Sequence, residues 1–358
     1  MEYTDLDPST WVVSSGRPPA VPDNPVNAPI VPASTFHAGG KIEYGREANP
    51  SASALEEALG GLEKGHAIVF SSGMAAANAL MDLWPIGAKV IAPTTAYTGV
   101  AVRLRELHER GQIELTTCDV TQTQVIIDLL PNSQVLWLES PTNPLLEVAQ
   151  LEILLAHART CGVTTIVDNT FASPVRQNPL VMGADFVIHS VTKILSGHSD
   201  LLMGALVAQD HANWEQLHVR RVLLGAMPSA FDCYLALRGL RTLFIRYEKS
   251  ESNAISLVSQ LQSHPNVLRL RYPGWGTIAA IEVAGSADRV CESTRLWTYA
   301  TSLGGVESLL ERRRRWPLES HGVPENLIRL SFGIEHPNDL WLDLNQALIS
   351  GSKFRSQI

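Results

Sequence analysis

A lysine and an aspartate, each at the end of an apolar run, carry the clearest chemistry in this chain. FVIHSVTK (186–193) closes on Lys193. One element upstream, TTIVDNTF (164–171) holds Asp168 at the end of its apolar part. In an open parallel sheet, the ends of neighbouring strands open on one crevice, where ligands bind. A lysine amine there can condense with an aldehyde, and an aspartate there can keep a pyridinium nitrogen protonated. Those are the two demands that pyridoxal phosphate (PLP) makes of a protein. Its phosphate needs an anion site as well. SSGMAAANAL (71–80) runs from a strand into an alanine-rich helix whose first N–H groups and positive end suit one, and Gly73 permits close approach. A lone Ser-Gly is ordinarily a helix cap. Ser190 and Thr192, beside Lys193, add hydroxyls from a second element.

The elements that position these residues follow from the pattern between 51 and 245. Short apolar runs sit at 67–73, 89–93, 113–119, 134–140, 164–169, 185–190 and 204–209, separated by amphipathic segments such as SALEEALGGLEKG and LEILLAHARTCG. This βαβ rhythm predicts a mostly parallel sheet covered on both faces. Residues 1–50 form a separate region rich in Pro, Ser, Asn and Gly. VPDNPVNAPIVPAS within it predicts an extended arm rather than a helix. After 246 the pattern changes to a helix (246–264), strands VLRLRY, TIAAIEV and LIRLSFG, and a closing helix PNDLWLDLNQALIS. That predicts a smaller α+β domain over 246–358.

Composition removes several function classes. With 45% hydrophobic and 18% charged residues, the chain can bury a sizeable core. A net charge of −8 argues against the nucleic-acid backbone as a partner. The four cysteines, Cys118, Cys161, Cys233 and Cys291, are widely spaced with no CxxC pair and read as reduced, mostly buried thiols. No basic, apolar leader or membrane-length run is visible, which fits a cytoplasmic protein. His189 and His198 lack metal-ligand spacing and read as core or hydrogen-bonded histidines, so no metal is expected. Ser190-Val191-Thr192-Lys193 also fits the S-x-x-K of serine β-lactamases, but the companion S-D-N and K-T-G elements are absent. Gly274-Trp275-Gly276 precedes a strand rather than a helix and reads as a turn, not a dinucleotide fingerprint. The run ERRRRW (311–316) reads as a solvated helix face or an oligomer contact, with a new anion contact for the substrate as a further option.

Taken together, the motifs resemble the Cys/Met-metabolism family of PLP enzymes. That family includes cystathionine γ-synthase, cystathionine γ- and β-lyases, methionine γ-lyase and the homoserine-ester sulfhydrylases. The matches are Tyr44-Gly45-Arg46 with Asn49-Pro50, SSGMAA, Tyr97, ESPTNP (139–144) and VDNTFASP (167–174). They continue through HSVTKILSGHSD (189–200), LRGLRTL (237–243), SLGGVESL (302–309) and LIRLSFGIE (327–335), in the family's order along nearly the whole chain.

The resemblance implies fold type I, like that of aspartate aminotransferase, with a seven-stranded central sheet. It also implies a role for each matching residue. Lys193 is the Schiff-base lysine and proton shuttle, Asp168 the partner of the pyridinium nitrogen, and Tyr97 the ring-stacking tyrosine and a candidate acid/base. Gly73, Met74, Ser190 and Thr192 hold the phosphate. Tyr44 and Arg46 reach a neighbouring subunit's phosphate, which implies a dimer at least and a tetramer by family habit. Arg329 forks onto the substrate α-carboxylate, and Asn143 and Ser302 help to position cofactor and carboxylate.

For activity, the resemblance implies cystathionine γ-lyase first and cystathionine γ-synthase second. Methionine γ-lyase, a homoserine-ester sulfhydrylase and a catalytically silent PLP-binding protein stand further back. Two departures bear on the choice. Synthases and γ-lyases usually carry a glutamate just before Ser-Leu-Gly-Gly, where this chain has Thr301. Methionine γ-lyases carry a cysteine shortly after the stacking tyrosine, where this chain has Thr98 and Gly99. Two segments are also shorter than the family's, after Tyr272-Pro273 and after SLGGVESL.

Overall fold

The computed structural model describes residues 6–352. Seven strands build the first sheet: β1 (His66–Phe70), β2 (Ala88–Pro93), β3 (Ile113–Cys118), β4 (Val135–Glu139), β5 (Thr164–Asp168), β6 (Phe186–Ser190) and β7 (Gly204–Ala208). Their order is β1-β7-β6-β5-β4-β2-β3. The pairs from β6 through β5, β4 and β2 to β3 are parallel, and β7 runs antiparallel to both its neighbours. All seven strands fall on the apolar runs read from the sequence.

Alternation along each strand divides the core into two layers. Leu136, Leu138, Val167, Val187 and Val207 face one layer; Trp137, Ile166, Ile188 and Leu206 face the other. The covering helices in this region are α2 (Pro50–Glu63), α3 (Gly73–Met81), α4 (Thr98–Glu109), α5 (Thr123–Leu129), α6 (Leu151–Thr160), α7 (Ser173–Arg176), α8 (His211–Leu224) and α9 (Ala230–Leu240). They are preceded by α1 (Pro8–Ser14), a short helix that the reading of an extended N-terminal arm did not foresee. Asp7 caps it through the Ser9 N–H, Pro8 supplies its first position, and Trp11 donates to the Ala58 carbonyl in α2. From Ser15 to Asn49 no regular helix or strand forms, as the prolines require.

The C-terminal unit is α+β. Its sheet has the order β10-β11-β12-β9-β8, from β8 (Val267–Arg271), β9 (Ile278–Val283), β10 (Thr298–Tyr299), β11 (Leu309–Arg312) and β12 (Leu327–Ser331). Helices α10 (Leu243–Leu261), α11 (Ala287–Ser293) and α12 (Pro337–Ser352) pack on one face through Leu257, Val290 and Leu344 against Ala279, Ile281 and Leu330. The other face, through Ile278, Ala280 and Leu327, packs on Leu146 and Phe171 of the first unit. Alternation therefore turns Arg329, between Ile328 and Leu330, toward the seam between the two units.

The run ERRRRW is not a solvated helix face. Glu311 and Arg312 end β11, residues Arg313–Arg315 make one 3₁₀ turn, and the Arg313 side chain is buried. Buried carboxylates at Glu311 and Glu319 supply the counter-charges that let this guanidinium leave water. Gly274 and Gly276, both at positive φ, make the expected turn before β9. His189 is a hydrogen-bonded core histidine on Glu63.

Candidate active site

One cavity of about 290 Å³ opens at the carboxyl ends of the parallel strands, against the C-terminal sheet. Its wall includes Gly73, Met74, Tyr97, Asn143, Asp168, Ser190, Thr192, Lys193, Ser302 and Arg329, ten of the twelve positions expected from sequence. Tyr44 and Arg46 are elsewhere. They line a surface groove with Asn49 and Phe231, where the Arg46 guanidinium lies 5.4 Å from the Tyr44 ring centroid and donates to the Val222 carbonyl.

Strand register sets the floor. Asp168 ends β5 and pairs across the ladder with Glu139, the last residue of β4. Burial raises the pKa of Asp168, while hydrogen bonds from Thr170 pull it down. Glu139 is held well above the usual carboxylate range by burial, with the neighbouring Asp168 charge adding to it. A pyridinium cation at Asp168 would relieve both effects. Glu139 also ties two loops together, since its carboxylate accepts from the Tyr97 N–H at 2.8 Å and from the Asn143 N–H at 2.6 Å. Sequence reading passed over Glu139. The available signal was an acid at a strand end in the same position as Asp168.

The phosphate side is the start of α3. Ser72 caps it by accepting from the Ala75 N–H at 3.0 Å, which leaves the Gly73 and Met74 N–H groups free of intrahelical partners. Gly204, on β7 between Phe70 and Ser190, allows this turn to approach, because a Cβ there would run into the Ser72 carbonyl. Gly99 does the same for the aromatic wall: a Cβ would lie 2.8 Å from the Tyr97 ring and 2.9 Å from Met74 Sδ. Thr192 lines the cavity, but its hydroxyl donates to the Met203 carbonyl and accepts from the Met203 N–H.

Lys193 Nζ donates to Ser302 Oγ at 2.8 Å. Burial, then the positive charge of Arg329, lowers its pKa to about 8, against the opposing pull of Glu311. Ser302 adopts a φ of +99°, a strained backbone for a side chain of this type. Its carbonyl accepts from Arg329 Nη2 at 2.8 Å, so one residue touches both the lysine and the arginine. Arg329 Nη1 donates to Asn143 Oδ1 at 3.1 Å, and Nη2 also donates to Glu311 at 3.0 Å. Arg313 completes this wall. It donates to Glu311 at 2.8 Å and to Glu319 through both Nε and Nη2, so both its edges face protein carboxylates.

These donors fit PLP. The structure puts an amine of depressed basicity, a half-buried carboxylate in want of a cation, an open helix N-terminus and an aromatic ring around one cavity. Among the described residues no cluster of His, Cys, Asp and Glu is arranged to hold a metal, and no helix is long and apolar enough to cross a membrane.

Comparison with known proteins agrees. A family model described as Cys/Met metabolism PLP-dependent enzyme matches residues 9–349. A cystathionine gamma-synthase of Mycobacterium bovis is 37% identical over 374 residues, covering 95% of this chain and 96% of that protein. A cystathionine gamma-lyase of Bacillus subtilis is 37% identical over 361 residues, covering 90% and 94%. Among solved structures, cystathionine gamma synthase from Xanthomonas oryzae in complex with cystathionine superposes with a TM-score of 0.94. It is 33% identical and covers 97% of this chain and 99% of its own. The fold is PLP-dependent fold type I, and the chain belongs to the Cys/Met metabolism family of PLP-dependent enzymes.

Proposed function

We propose that the protein is a cystathionine γ-lyase, cleaving L-cystathionine with water to cysteine, 2-oxobutanoate and ammonia. The coarser activity, carbon–sulfur chemistry on PLP, is common to relatives named as synthases and as lyases. The finer choice rests on one observation. Elimination holds one molecule, whose distal cysteine end is tethered to the anchored α-carboxylate end, whereas replacement must also hold an untethered cysteine in the same cavity. Arg313 has Nε and Nη2 on Glu319 and Nη1 on Glu311, so Arg329, with Nε and one Nη1 hydrogen unengaged, is the guanidinium with more N–H groups to offer a carboxylate.

PLP, when bound, supplies an aldehyde for the substrate amine and an electron-withdrawing ring. Asp168 would hold the proton on the ring nitrogen, and Gly73, Met74 and Ser190 would hold the phosphate, with Thr192 joining them once its hydroxyl turns from the Met203 carbonyl. Arg329 clamps the α-carboxylate and so aims the Cα–H bond at Lys193. Nζ of Lys193, with a pKa near 8, takes that proton and carries it along the substrate, while Ser302 Oγ restrains the free amine. Tyr97, on the cavity wall, would stack on the ring and be placed to deliver a proton to the departing sulfur. Thr301 stands where a distal-group glutamate would be expected.

The same reading assigns 51–245 to cofactor binding, 246–358 to closing the substrate site, and 1–50 to an arm that lends Tyr44 and Arg46 to a neighbouring subunit. It makes the protein a cytoplasmic homo-oligomer, a dimer at least and a tetramer by family habit. A second reading, cystathionine γ-synthase, draws on the Mycobacterium relative's name. Purified holoenzyme given cystathionine should release 2-oxobutanoate and free thiol. Cystathionine formation from an O-acylhomoserine and cysteine, with no release from cystathionine, would transfer the assignment to the synthase.

A further inference from the structure

The wall beside Arg329 is an alternating chain of buried charges that no family motif led us to expect. Glu311 lies opposite Arg329 across the β11–β12 ladder, on the same face. One of its oxygens accepts from both Arg329 Nη2 (3.0 Å) and Arg313 Nη1 (2.8 Å). The other accepts from Arg315 Nη2 (2.9 Å) and the Trp316 indole N–H (2.7 Å). Arg313 passes the chain to Glu319, which accepts from Thr98, the first residue of α4 and the neighbour of Tyr97. Glu311, Arg313, Glu319 and Arg329 are each at most 5% exposed. Burial pushes the Glu311 carboxyl up, but Arg329 and Arg313 outweigh it and leave the pKa below its ordinary value.

We propose that Glu311 is a positioning residue for substrate recognition: it fixes the edge of the Arg329 guanidinium so that its remaining N–H groups meet the α-carboxylate. The proposal rests on the reading of Arg329 given above. Four side chains converge on the carboxylate of Glu311, two on each oxygen, so both its charge and its reach are specified. Asn143 holds Nη1 from the first unit while Ser302 and Glu311 hold Nη2 from the second. A guanidinium gripped from three sides cannot swing to follow a misplaced ligand. Its selectivity for a planar anion therefore depends on each grip.

The test compares binding of glycine and glycinamide to holoenzyme by calorimetry, since neither carries a γ-substituent to lose. Wild type should prefer the acid, and a wild type without that preference removes the reading of Arg329 itself. Glu311→Ala should lower the acid-over-amide preference about tenfold, the size of a lost charge-assisted hydrogen bond, with amide affinity held within about twofold. Glu311→Asp keeps the charge but withdraws it by one methylene. It protects the fold where the alanine variant fails, and should still lower the preference about threefold. Loss of acid and amide affinity by the same factor, or an unchanged preference in the aspartate variant, would overturn the proposal.

Discussion

Lys193 meets two opposed demands at the scale of a single residue. Its amine must be a cation in water yet a base in the cavity, and burial beside Arg329 moves the balance toward the base, with a pKa near 8. The cost appears in the apoprotein. The folded amine releases its proton near pH 8, whereas the unfolded one keeps it to about 10.5, so unfolding takes up a proton between those values. Stability contributed by this group is lowest below pH 8 and rises with pH across that window. Apo Lys193→Met should therefore melt a few degrees above apo wild type near neutral pH, the gap closing between pH 8 and 10.5. Thermal melts of the two apo forms as a function of pH check this; a gap independent of pH contradicts it. Glu139 and Asp168 show a second consequence of placement, because two carboxylates that are harmless in solution become costly when the ladder sets them side by side.

Element by element, legibility in the sequence followed how local the cause was. The strands of the large sheet were readable as short apolar-rich runs bounded by turn residues; the central ones are buried on both faces, while the edge strand β3 exposes Glu114, Thr116 and Thr117. Lys193 and Asp168 were readable because they end such runs. Strands β10 and β11 were not, since Thr298–Tyr299 is two residues long and β11 ends within a run of charge. Four consecutive arginines suggest water when taken alone. Only the fold brings Glu319, six residues on, back against Arg313, and only the ladder sets Glu311 opposite Arg329. Glu139 was hidden for a related reason: its importance lies in the two backbone N–H groups it joins, from loops 42 and 4 residues away in sequence.

Across the whole molecule, the site lies on a seam. The first unit supplies Lys193, Asp168, Asn143 and Tyr97, and the second supplies Ser302 and Arg329, with Phe171 and Leu146 packed against Ile278 and Ala280 beneath them. Tyr44 and Arg46 remain outside this cavity. If they complete a neighbour's phosphate site, Arg46→Ala and Lys193→Ala subunits, each inactive, should regain about one quarter of wild-type activity on random mixing into dimers, because half the dimers then hold one intact site. Mixtures that stay inactive would return Arg46 to a purely local role.

The central claim is that Lys193 is the residue joined to PLP, with Asp168 facing the ring nitrogen. Borohydride reduction of the holoenzyme, followed by proteolysis and mass spectrometry, tests it directly. The account predicts a single pyridoxyl-bearing peptide with the label on Lys193, and none in Lys193→Ala. A label on another lysine, or a cofactor that washes away unreduced, would contradict it.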